Sequence, residues 1–115
     1  MKKHIFAAKR GEGKTKWLIN KALESQKNGK DIVYVGTVPG YIQFVDKCSS
    51  MGINKVYYVN DYSSFDCYES EFDLFTDELL FELLTISFKL RDIVHMSNSD
   101  TQWYITMGSE DFVNG

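Results

Sequence analysis

Proline is almost missing from this chain, arginine occurs only as Arg10 and Arg91, and cysteine only as Cys48 and Cys67. With Pro39 as the single proline and no Gly/Ser-rich or low-complexity stretch, nothing in the 115 residues marks a linker or a second domain. Residues 1–115 therefore read as one domain around one hydrophobic core. The two cysteines form no CxxC pair, and His4 and His95 add no matching ligand spacing, which argues against a zinc site. No apolar run approaches the ~18 residues of a membrane span, and no signal segment is recognisable. The expected location is the cytoplasm, with no membrane partner. Positive charge is not in excess either: the formal net charge is -3. A broad electrostatic grip on nucleic acid needs clustered Lys and Arg, so the charge does not support nucleic acid as a partner.

The remaining composition, 43% apolar and 25% charged, is that of an ordinary globular domain. Aromatic residues are abundant at 15%, many of them between Tyr57 and Phe88. A small core has limited room for them, so some are expected to face a ligand or partner. Charge is also unevenly spread. Met1 to Arg10 carries Lys2, Lys3, Lys9 and Arg10, whereas Asp61 to Glu82 holds eight acids and no base. Such asymmetry suits a phosphate site facing a metal-binding acidic side, and equally a solvated acidic face.

Along the chain, His4 to Ala8 is a short apolar run that ends in a glycine-containing turn and gives way to a helical pattern. From Lys14 the positions Trp17, Leu18, Ala22 and Leu23 make one apolar face until Asn28-Gly29 supplies a helix stop. Asp31 to Gly36 reads as a buried strand, Pro39 to Met51 as a helix stopped by Gly52, and Lys55 to Asn60 as another strand. Phe72 to Thr76 is expected as a strand feeding a helix that starts near Asp77. The competing pattern is one long helix from Glu71 to Met96. Thr101 to Met107 closes the series as a strand. Strands alternating with helices at this spacing imply an α/β fold, a mainly parallel sheet flanked by helices.

Between the first strand and the first helix stands Ala8-Lys9-Arg10-Gly11-Glu12-Gly13-Lys14-Thr15, the P-loop pattern in the form that admits Ala at its first position. Gly11 and Gly13 permit backbone turns closed to residues with a Cβ, so that successive N–H groups converge on phosphate oxygens at the positive end of a helix. In this respect the chain resembles the P-loop NTPases. The resemblance implies a three-layer fold of four or five strands, with the first and last strands near the sheet centre. It also implies ATP or GTP as ligand with Mg²⁺, the backbone of Ala8 to Thr15 around the phosphates, Lys14 on the β- and γ-phosphates, and the Thr15 hydroxyl on the metal.

A P-loop protein also needs a carboxylate for the metal, expected at the end of a buried strand beside the first. Phe72-Asp73-Leu74-Phe75-Thr76-Asp77-Glu78 resembles the Walker B strand of the additional-strand, catalytic-glutamate type, which would put Asp77 on Mg²⁺ and Glu78 on the attacking water. Thr76 is more polar than such a strand usually allows. The rival is Asp61, after Val56 to Asn60, and the acids at 77 and 78 also suit the first turn of a helix. The same type ends its next strand in a polar residue that senses the γ-phosphate, here Thr106 or Ser109. Residues 77–81 and 108–112 resemble segments of thymidine kinases, and Lys9-Arg10-Gly11 resembles phage packaging ATPases. The zinc ribbon and lasso of the former and the extra domain of the latter have no counterpart. With so few strands the first is also expected to leave an edge open to pairing, which implies a protein partner or a second copy. The expected function is Mg-nucleotide binding with slow hydrolysis. A small nucleoside or nucleotide kinase and a non-catalytic phage or plasmid accessory protein are the alternatives.

Overall fold

The structure, a computed structural model, describes residues 2–9, 11–62, 71–77 and 97–108. Within them the order of elements is β1 (Lys2–Ala8), α1 (Lys14–Lys27), β2 (Asp31–Tyr34), α2 (Val38–Ser50), β3 (Val56–Tyr58), β4 (Phe72–Thr76) and β5 (Gln102–Gly108). Local chemistry explains the helix ends. α1 stops at Asn28, and Gly29 follows at φ 76°, a left-handed position that a residue without Cβ takes up at no steric cost. α2 begins at the N-cap Thr37, whose hydroxyl accepts the Gly40 N–H at 3.1 Å, with Pro39 in the first turn where no N–H is needed. Phe72 to Thr76 is a strand, which removes the reading of Glu71 to Met96 as one helix.

All strand pairs are parallel, in the order β1-β5-β4-β2-β3. Two expectations change here. β1 is an edge strand among the described residues, as the small number of strands implies and not central as the P-loop resemblance implies, and the centre belongs to β4. The strand carrying Asp77 at its end is likewise not beside β1, because β5 lies between them. The cause is the long crossover from β1 to β2: α1 packs across β1, β5, β4 and β2 and leaves a gap that the two later strands fill. Burial follows the order. Every residue of β4 is buried, as expected of a central parallel strand, whereas β1 alternates towards exposure.

Strand alternation divides the core in two. One sheet face packs Ile32, Tyr34, Phe75 and Tyr104 against Leu18, Ile19 and Ala22 of α1 and Phe44 and Cys48 of α2. Burying side chains such as Leu18 and Phe75 contributes about 1.5–3 kcal/mol each. Aromatic rings run across this layer in contact: Phe6 on Trp17, Trp17 on Tyr104, Tyr104 on Phe75, Phe75 on Phe44, Phe44 on Tyr34. Most described aromatics therefore fill the helix–sheet layer instead of facing a partner, and Tyr57, at 38%, is the exposed one among them. The other face buries Val33, Val35, Leu74, Trp103, Ile105 and Met107. Thr76 belongs to this face, and its polarity is accounted for: the buried hydroxyl accepts the Trp103 Nε1–H at 2.9 Å.

Candidate functional site

The glycine loop sits where the carboxyl end of β1 passes into α1. Its Lys9–Glu12 turn is closed by the Glu12 N–H on the Lys9 carbonyl at 3.2 Å and by the Lys9 N–H on the Glu12 carboxylate at 3.1 Å. Gly11 and Gly13 have φ of 85° and 88°, and a Cβ at either would meet no atom within 4 Å. Conformation, not crowding, is therefore what requires glycine at both. Gly13 is also the N-cap of α1; it offers no capping side chain, and the first turn carries no acid. The positive end of the helix thus opens on the loop without a carboxylate from its own first turn.

Of the residues singled out for this segment, Ala8 is the buried last residue of the strand, Lys9, Gly11, Glu12 and Gly13 are exposed, and Thr15 is half-buried. Arg10 lies outside the described residues. Lys14 departs from expectation. The resemblance implies a lysine that reaches phosphate, but Lys14 is only 8% exposed. Its removal therefore touches packing as well as charge.

Alternation along β4 explains how a carboxylate two strands away comes to share a cavity with Thr15. Asp73 and Phe75 point to the helix-bearing face, and Asp77 continues the series just past the strand end. There the Asp77 carboxylate accepts the hydroxyl of Thr106, itself fully buried near the end of β5. Asp77 and Thr15 line one cavity of about 110 Å³ with Leu18, Tyr34, Gly40, Gln43, Phe44 and Lys47. It has room for several waters. Glu78 and Ser109 lie outside the described residues. Asp61 follows β3, at the opposite edge of the sheet, in a turn where its N–H donates to the Tyr58 carbonyl at 2.9 Å. It does not line the cavity that holds Thr15.

The sequence reading missed the contribution of α2. Gly40, Gln43, Phe44 and Lys47 recur at helical spacing on the face towards α1, in a segment that the sequence reading takes only as a helix. Among the described residues no group of three or more His, Cys, Asp or Glu could hold a metal by itself. A metal at Thr15 and Asp77 would take its remaining ligands from phosphate and water. Titration is perturbed away from the loop. Burial pushes the Cys48 thiol up to about 12, and burial raises the Tyr41 and Tyr104 hydroxyls, aided by Asp61 and by Asp73 respectively.

No family model, no curated protein and no solved structure matches this chain. What stands is a small α/β domain with a five-stranded parallel sheet. Among its described residues no helix is long and apolar enough to cross a membrane.

Proposed function

We propose that the chain is a small P-loop nucleotide-binding protein of the additional-strand type, with its sheet between two helical layers. It takes ATP or GTP with Mg²⁺ at Ala8 to Thr15 and hydrolyses it slowly. The observation that carries the reading is the cavity shared by Thr15 and Asp77, the two residues that separate motifs of the P-loop resemblance assign to the metal. The meeting of Thr106, near the end of β5, with Asp77 supports the same reading. In this reading the loop N–H groups and Lys14 hold the phosphates, Thr15 and Asp77 hold the metal, and Thr106 keeps the Asp77 carboxylate in place. Glu78 orients a water whose oxygen attacks the γ-phosphorus. The bond from that phosphorus to the β,γ-bridging oxygen breaks, and the water proton passes through Glu78 to solvent, leaving nucleoside diphosphate and phosphate. A cytoplasmic location and a protein partner, or a second copy, belong to this proposal.

Thermal melting with Mg-ATP and Mg-GTP tests it. A ligand at ~100 times its dissociation constant stabilises the fold by about 2.7 kcal/mol. Absence of any shift with either nucleotide, together with no retention in equilibrium dialysis, would remove the reading.

A further inference from the structure

The helix α2 lines the cavity of Thr15 and Asp77, a contribution that the P-loop pattern does not describe. It follows β2, so its N-terminus lies at the same sheet edge as the glycine loop, and it packs on the same face as α1. Side chains on a helix lean towards its N-terminus. A long side chain in the last turn of α2 is therefore directed back towards that edge. Lys47 is that residue: it is exposed in the last turn and lines the cavity of Thr15 and Asp77. It also lines a second, larger space of about 340 Å³ between α1 and α2, with Thr15, Lys16, Ile19, Asn20, Ser50 and Met51. Thr15 and Lys47 are the two residues common to both spaces. Among the described residues Lys47 makes no ion pair, although a carboxylate, Asp77, shares its cavity. A lysine that lines the same cavity as a metal-type carboxylate and a metal-type hydroxyl suits a terminal phosphate.

We propose that Lys47 is a phosphate-contacting residue of this site, placing a second ammonium against the terminal phosphate of the bound nucleoside triphosphate from the α2 side. The inference rests on the nucleotide-binding reading and adds a residue to it. Its distinguishing consequence is selectivity between triphosphate and diphosphate, because a group that meets only the terminal phosphate has nothing to hold once that phosphate has left.

The test is equilibrium binding of Mg-ATP and Mg-ADP, and of the guanine pair, to the wild-type chain, Lys47→Met, Lys47→Arg and Lys14→Ala. Lys47→Met is expected to weaken triphosphate binding roughly five- to tenfold and to leave diphosphate binding within about twofold. Lys47→Arg restores most of the loss. Added salt narrows the difference between wild type and Lys47→Met, since Lys47 is exposed to solvent. Lys14→Ala weakens both ligands. If the wild type binds triphosphate and Lys47→Met changes neither ligand, or weakens both equally, the role of Lys47 is overturned while the nucleotide site stands. If the wild type binds no nucleotide at all, both fall. An unchanged melting temperature of unliganded Lys47→Met separates lost contact from lost fold.

Discussion

Asp73 and Asp77 belong to one stretch of chain, point to one face of the sheet and differ in almost everything else. Asp73, at 2% exposure, is saturated by the protein: its carboxylate accepts from Ser25 Oγ at 2.6 Å, Lys30 Nζ at 3.1 Å and the Gln102 N–H at 2.9 Å. These donors come from α1, the α1–β2 turn and β5, so one side chain ties three segments at the amino end of the sheet. Asp77 is half-buried, accepts from Thr106 and faces a cavity. A buried carboxylate whose oxygens are filled by protein donors is structural, whereas one with a side open to a polar cavity is available to a ligand. Residue type does not distinguish them; the supply of neighbouring donors does.

The sharpest way to break this contrast is substitution at the saturated site. Asp73→Asn keeps the shape but replaces one acceptor oxygen with a donor, so that at least one of three donors confronts an N–H₂ and Lys30 loses its counter-charge. Breaking a buried pair from one side costs about 3–5 kcal/mol, a fall in melting temperature of roughly 10 °C or more. Asp77→Asn retains an acceptor for Thr106 and is expected to change stability by less than about 1 kcal/mol. Chemical denaturation of the two variants measures the difference, and equal losses would erase the distinction.

The next effect concerns ligand. Asp77→Asn and Lys14→Ala should each remove most of the ~2.7 kcal/mol stabilisation given by saturating Mg-nucleotide. Only Asp77→Asn should do so through the metal, so the remaining affinity should no longer respond to Mg²⁺. Because Lys14 is buried, Lys14→Ala should also lower the melting point of the unliganded chain, a separation that calorimetry with and without nucleotide reads directly. Persistence of a Mg²⁺-dependent shift in Asp77→Asn would return Asp77 to a purely structural role.

A smaller effect in binding, though a large one in rate, belongs to Glu78. Glu78→Gln should bind Mg-nucleotide as the wild type does and lose turnover, because glutamine keeps the shape but not the charge that polarises water. Asp61→Asn should alter neither quantity, since Asp61 follows the far edge strand. Phosphate-release assays on both variants decide it, and the reverse outcome would shift the metal carboxylate to Asp61.

Smallest is a pH effect remote from both aspartates. The Cys48 thiol is raised by burial from 9.0 to about 12, so in the unfolded chain it ionises first. A group raised in the folded state leaves stability intact below its unfolded value and erodes it as pH climbs towards the folded one. Stability should therefore decline above pH 9, and Cys48→Ala should decline less steeply. Tyr41 and Tyr104, raised in the same sense, contribute to the residual slope. Parallel slopes for the two proteins across this window would remove Cys48 as its source.

What the sequence determined by itself is local. The loop glycines, Pro39 in a first helical turn, the stops at Gly29 and Gly52, and the strand at Phe72 to Thr76 are all legible because backbone conformation and short-range periodicity depend on neighbouring residues. Asp77 was legible too, as the first acid after an apolar strand. The tertiary structure decided what depends on residues far apart in the chain. It set β5 between β1 and β4, and with that the meeting of Thr106 with Asp77. It buried Lys14, turned most of the described aromatics inward and brought Gln43 and Lys47 of α2 to the cavity wall. It also filled Asp73 with protein donors and left Asp77 facing a cavity. Alternation treats positions 73 and 77 alike, and only the path of α1 across the sheet, with Ser25 over one end and Thr15 over the other, tells them apart.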